Sequence, residues 1–181
     1  MNHHKVFPIS ALVLVLILQA CSSNAAAVST PTHVQTATTP PETLQITPIP
    51  FSSDVNVDGM KFVIAGAIRP ADGLVSSGDM FNPQPREYQQ YIFVTLNVTC
   101  ETTPDGQCHL NLFKIKLLGP DGSLQNPKWF ISGVESILKE TDFPGGRTIS
   151  GNVPFIVSVG DSGLRLVYES LSGDNFYFAL P

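Results

Sequence analysis

The chain has 181 residues, of which 14% are charged and 43% hydrophobic, with a formal net charge of −5. One domain plus a leader fits that length, and two full domains do not. Ten Lys and Arg against fifteen Asp and Glu offer no basic footprint for a phosphate backbone, so nucleic acid is excluded as a partner, and so few charges exclude a long solvated helix.

Residues 1–20 read as a signal peptide. Lys5 supplies the positive start, and the apolar run from Phe7 to Leu18 is broken only by Pro8 and Ser10. That run is far short of the roughly twenty residues of a membrane span. It ends in Leu18-Gln19-Ala20-Cys21, which resembles the lipobox of bacterial lipoproteins, with Gln19 its least typical member. The resemblance implies cleavage before Cys21 and diacylglycerol on its thiol. The alternative is an ordinary signal peptide that leaves the thiol free. Each buried acyl CH₂ contributes about 0.8 kcal/mol, so two or three chains on Cys21 anchor a protein stably. The expected location is outside the cytoplasmic membrane, or on the outer membrane of a two-membrane cell, which the uncharged Ser22 would permit.

Residues 21–53 are a tether of Ala, Thr, Ser and Pro with Glu42 as the only formal charge, too polar to bury a core. Its Thr and Ser are potential O-glycan acceptors. Residues 54–181 carry runs of β-branched and aromatic residues bounded by turn signals. Strands are predicted over 60–68, 89–100, 108–118, 147–159, 163–169 and 175–180, with a shorter one over 125–130. In 89–100 the residues Ile92, Val94, Leu96 and Val98 alternate with Tyr91, Phe93, Thr95 and Asn97, which predicts a strand with the first set facing the core. In 108–118 the apolar parity switches between Leu112 and Phe113, which predicts a bulge near Asn111. Turns are marked by Pro104-Asp105-Gly106, Pro120-Asp121-Gly122, Pro144-Gly145-Gly146 and Asp161-Ser162-Gly163. Only residues 132–141 are a candidate helical turn. About seven antiparallel strands describe an all-β sandwich.

Cys100 and Cys108 flank a turn-centred loop in an exported chain, which predicts a disulfide, with two separate buried thiols as the alternative. Asp54-Val55-Asn56-Val57-Asp58-Gly59 matches the opening of a calcium loop, but Phe62 and Ala65 stand where its later oxygen ligands belong. No metal and no cofactor are expected. His109 is the only histidine of the predicted domain, and no nucleophile motif accompanies it. Glu135, Glu140, Asp142 and Glu169 are scattered carboxylates, and the Asn97-Val98-Thr99 sequon falls inside a strand. Most aromatics, Phe130 and Phe143 among them, are expected in the core. Trp129, after Pro127, and Tyr177, opposite in parity to Phe176 and Phe178, are the candidate ligand contacts.

The stretches Tyr91-Ile92-Phe93-Val94-Thr95-Leu96-Asn97-Val98, Phe113 through Pro120-Asp121-Gly122, and Phe143-Pro144-Gly145-Gly146 through Ser150-Gly151 to Val157 resemble a family of immunoglobulin-like β-sandwich domains of unknown function. Members follow a lipoprotein signal and a Ser/Thr/Pro tether. Gly146 stands where an acidic residue is frequent, and the Cys100–Cys108 hairpin resembles a subgroup feature. The resemblance implies an immunoglobulin-like antiparallel sandwich and transfers no catalytic residue. The expected function is a non-enzymatic domain that binds or scaffolds an envelope protein at the cell surface. The alternatives are a carbohydrate-binding accessory domain, marked by a planar row of exposed aromatics, and a hydrolase, marked by a pocket with close-set carboxylates or His109 with an acidic partner.

Overall fold

The structure is a computed structural model that describes residues 47–181. The predicted signal peptide, Cys21 and most of the tether lie outside the described residues. The elements in order are β1 (Asp54–Val57), β2 (Met60–Ile68), α1 (Asp72–Gly78), β3 (Gln89–Cys100), β4 (Gln107–Leu110), a 3₁₀ turn (Leu112–Lys114), β5 (Ile115–Leu118), β6 (Leu124–Gln125), β7 (Thr141–Pro144), β8 (Thr148–Ser158), β9 (Arg165–Glu169) and β10 (Asn175–Ala179). One four-stranded sheet runs β1-β2-β3-β8, a second β10-β9-β5-β6, and β4 pairs β7 apart from both. All the strand pairs are antiparallel.

The two large sheets share one core, which makes the fold an all-β sandwich. Phe62, Ile64, Val94, Leu96 and Phe155 of the first sheet pack with Ile115, Leu117, Leu166, Tyr168 and Phe178 of the second. The Phe62 and Tyr168 rings meet across it, 4.4 Å between centroids. Such tilted aromatic pairs add about 0.5–1.5 kcal/mol beyond area burial.

Strand β3 corrects one expectation. Tyr91 and Phe93, assigned by alternation to the solvent face, are fully buried in a second small core with Ala71 and Val75. Helix α1 causes this. The register of β2 ends with Ile68 opposite Phe93, so the backbone of Tyr91 runs past the end of β2. Asp72 Oδ1 accepts the Tyr91 N–H at 2.9 Å, and the Ala71 N–H donates to Tyr91 O at 2.9 Å. These bonds set α1 over the outer face of β3.

The predicted 108–118 strand is two strands in different sheets. The parity switch is a 3₁₀ turn rather than a bulge: Asn111 caps it by accepting the Phe113 N–H at 2.9 Å. Leu110, Leu112, Ile115 and Leu117 are buried, and Phe113 is turned outward. Of the predicted 125–130 strand only Leu124–Gln125 pairs, and 132–141 contains no helix.

The acidic run at residues 54–59 forms a hairpin. Val57 pairs with Met60, leaving Asp58 and Gly59 as a two-residue turn with φ of 55° and 73°. The Asp58 carboxylate reaches the other sheet, accepting the Leu171 N–H at 2.9 Å and the Tyr168 hydroxyl at 3.2 Å. Burial, and then the Asp58 charge, push the Tyr168 phenol well above its ordinary range. Ile49, placed by sequence in the tether, forms a parallel bridge with Phe178 at the edge of the second sheet.

Candidate functional site

The segment between β6 and β7 is laid along the free edge of β8. The Lys128 N–H donates to Pro154 O at 2.8 Å, the Leu138 N–H to Asn152 O at 2.9 Å, and the Asn152 N–H to Ser136 O at 2.6 Å. Gly151 lets the segment approach: a Cβ there would lie 2.7 Å from Leu138 Cα. The segment's middle is pinned by buried Asn82, whose Nδ2 donates to Ser132 O and Val75 O and whose Oδ1 accepts the Ser132 N–H, all within 2.9 Å. This amide satisfies the backbone of α1 and of the segment at once.

Between this segment and the 3₁₀ turn lies a groove of about 690 Å³ walled by Phe113, Trp129, Phe130, Val134 and Leu138. Phe130 is 93% exposed and Phe113 73%. Phe130, expected in the core, is therefore one of its most solvent-exposed aromatics. Trp129 lies beside them, half-buried and packed against the main core. Glu135, Lys139 and Glu140 complete the rim. Tyr177 is half-buried on β10 and takes no part in the groove. The two aromatics singled out from sequence are thus not brought together. Phe113 was legible only as the residue that breaks the parity of its run.

Beside the rim, β4 and β7 place His109 opposite Asp142. His109 Nδ1 lies 2.7 Å from Asp142 Oδ1, and Nε2 lies 3.4 Å from Glu140 Oε1. Both ring nitrogens face carboxylates, so neither is presented to a hydroxyl nucleophile as a general base requires. All three side chains are well exposed, and water weakens the pairs. Among the described residues no group of three or more His, Cys, Asp or Glu is arranged to hold a metal. A disulfide joins Cys100 to Cys108, with Cα atoms 5.6 Å apart, and closes the loop between β3 and β4; the expected hairpin does not form, because β3 pairs with β2 and β8 while β4 pairs with β7. Among the described residues no helix is long and apolar enough to cross a membrane.

No protein-family model matches the chain, and no curated protein matches it. Solved structures do. The yjhA protein of Bacillus subtilis superposes with a TM-score of 0.53 at 9% identity, covering 73% of this chain and 98% of its own. The secreted protein MPT63 of Mycobacterium tuberculosis superposes with a TM-score of 0.52 at 12% identity, covering 74% and 98%. At these identities the likeness is one of fold: the chain shares its all-β sandwich with bacterial proteins, one of them secreted.

Proposed function

We propose that this chain is a lipid-anchored cell-envelope protein whose immunoglobulin-like sandwich binds a protein partner, without catalysis, through the groove beside the 3₁₀ turn. The observation that carries the reading is the exposure of Phe113 and Phe130 at one concave, apolar site. Two aromatic rings held in water at a groove are what a partner buries, because aromatic anchors in pockets dominate interface energetics. The immunoglobulin-like description rests on the strand order, β1-β2-β3-β8 facing β10-β9-β5-β6. The disulfide fits an oxidising compartment, as does the likeness to a secreted protein.

A protein is favoured over a glycan at the groove because Trp129 is half-buried against the core and Tyr177 lies elsewhere, so neither forms a planar aromatic platform. His109 has the acidic partner that marks a hydrolase, Asp142 at 2.7 Å, but both side chains are exposed and outside the groove lining and Nε2 faces Glu140, so a hydrolase is disfavoured. The test places a photo-crosslinking residue at Phe130 in the producing cell and identifies the captured protein. Phe113→Ala with Phe130→Ala should weaken binding of that protein about tenfold or more while leaving the melting temperature unchanged. Undiminished binding by this variant would overturn the assignment, as would substrate turnover lost on His109→Ala. The anchor is tested by mass spectrometry of the mature N-terminus, where an unmodified Cys21 or a retained leader would refute it.

A further inference from the structure

A polar cleft of about 460 Å³ that shares no lining residue with the groove lies where the loop before β3, the residues after β6 and the end of β8 converge. Its chemistry is the reverse of the groove. Arg86 and Lys128 line it together with Gln89, Gln125 and Asn126, and no Asp or Glu does. In a chain with net charge −5, a concavity with two cations and no carboxylate is selective for anions. Glu87 neighbours Arg86 in the chain, and Asp161 is engaged by the Ser158 N–H at 2.9 Å. Gln89 Oε1 accepts the Arg86 N–H at 3.3 Å, tying the Arg86 backbone to the start of β3.

The wall of the cleft supplies a second, independent feature. In β8 the backbone groups of Asn152 and Pro154 point away from β3, bonding Ser136, Leu138 and Lys128, whereas the Val159 N–H points back toward it and donates to Tyr88 O. By strand parity the N–H and C=O of Ile156 also point outward, into the cleft. No described residue bonds them. The open edge is one residue long, because Pro154 O is taken by Lys128 and the Ser158 N–H by Asp161. A partner strand needs several consecutive free groups, so strand addition is closed here. A small ligand needs no more than this donor and acceptor.

We propose that this cleft is a binding site for a small hydroxylated anion, a sugar bearing a carboxylate or a phosphate. Arg86 and Lys128 hold the anionic group by charge-assisted hydrogen bonds. The amides of Gln125 and Asn126, each both donor and acceptor, match sugar hydroxyls, as do the free backbone groups of Ile156. The volume falls within the usual range of small-molecule sites, roughly 300–1,000 Å³. The site is separate from the groove and does not depend on the groove's partner.

The test is calorimetric titration of the full chain with digalacturonate, glucose 6-phosphate, inorganic phosphate and neutral digalactose, at low and high salt. Saturable binding of digalacturonate, glucose 6-phosphate or both is expected, weakening with salt and tighter than that of inorganic phosphate or digalactose. A response to digalacturonate alone would identify a carboxylate-bearing glycan as the source, and one to glucose 6-phosphate alone a phosphate-bearing glycan. Arg86→Ala with Lys128→Ala should lower affinity about tenfold or more without moving the melting temperature, and amide NMR shifts should centre on Ile156 and Gln125. Gln125→Ala with Asn126→Ala should weaken sugar anions more than inorganic phosphate. The proposal fails if no anion saturates, if digalactose binds equally well, if inorganic phosphate matches the sugar anions, or if the Arg86/Lys128 variant binds undiminished.

Discussion

Asp58 bolts one sheet to the other, and replacing it with Ala removes two hydrogen bonds and strains the backbone. The Leu171 N–H loses its acceptor at 2.9 Å, and the Tyr168 hydroxyl, at 3.2 Å, loses its partner on the other sheet. Alanine must also adopt the positive φ of 55°. A hydrogen bond to a charged acceptor contributes about 1.5–3 kcal/mol when shielded and less when wet, so the two together are worth about 2 kcal/mol here. The left-handed backbone adds about 1 kcal/mol for Ala, whereas Asn and Gly tolerate it. The expected loss for Asp58→Ala is about 3 kcal/mol, or about 10 °C in melting temperature for a domain of this size. Asp58→Asn, keeping the backbone and one acceptor, should lose about 1 kcal/mol, and Asp58→Gly, keeping the backbone only, about 2 kcal/mol. Urea and thermal unfolding of the series, with a double-mutant cycle against Tyr168→Phe, separate the contributions. If Asp58→Ala melts within about 2 °C of the parent, or if Ala, Asn and Gly are equivalent, the inter-sheet role is refuted.

Alkaline stability should depend on two buried phenols. Tyr168 is raised by burial and by Asp58, and Tyr91 by burial and by Asp72, so above pH about 10 the folded chain holds protons that the unfolded chain releases. Stability is flat in this respect below that pH and falls as pH rises above it; Tyr168→Phe should flatten the fall in urea midpoints, and an unchanged slope would contradict the assignment. Replacing Cys100 and Cys108 with Ser should cost about 2.5 kcal/mol by loop closure, read from urea unfolding, with the fold retained because the staple closes only one short loop. Gly151→Ala should destabilise by about 2 kcal/mol or more, since its Cβ would meet Leu138 backbone atoms at 2.7 and 2.8 Å. A neutral result would show that the segment along β8 moves aside freely.

The long strands were legible to the residue: β2 and β3 fall where the β-branched and apolar runs of Met60 to Ile68 and Gln89 to Cys100 put them. Helix α1 was not. Its Asp-Gly-Leu-Val-Ser-Ser-Gly sequence has no apolar period, and it is held by tertiary bonds to the Tyr91 backbone. Burial of Tyr91 and Phe93 on the second face of β3 followed from that unseen helix. The Asp58-Gly59 pair was a hairpin signal in plain view, obscured by the spacing of Asp54, Asn56 and Asp58. At the groove, Trp129 was visible as an aromatic after a proline. The exposure of Phe113 and Phe130 depends on where a 3₁₀ turn and an extended segment happen to face, which residue type alone does not encode. The polar cleft gathers three distant segments of the chain, and no local pattern announces it.

The bridge at Ile49 has a mechanical consequence. Its two hydrogen bonds, the Ile49 N–H to Tyr177 O at 2.7 Å and the Ala179 N–H to Ile49 O at 2.9 Å, are, among the described residues, the first inter-strand bonds met by a pull from the N-terminal side. They break before tension reaches the four residues of β1. Releasing the residues from Ile49 to Ser53 pays out about 17 Å of extended chain. Among the described residues, losing this bridge under load would leave both large sheets and the disulfide in place.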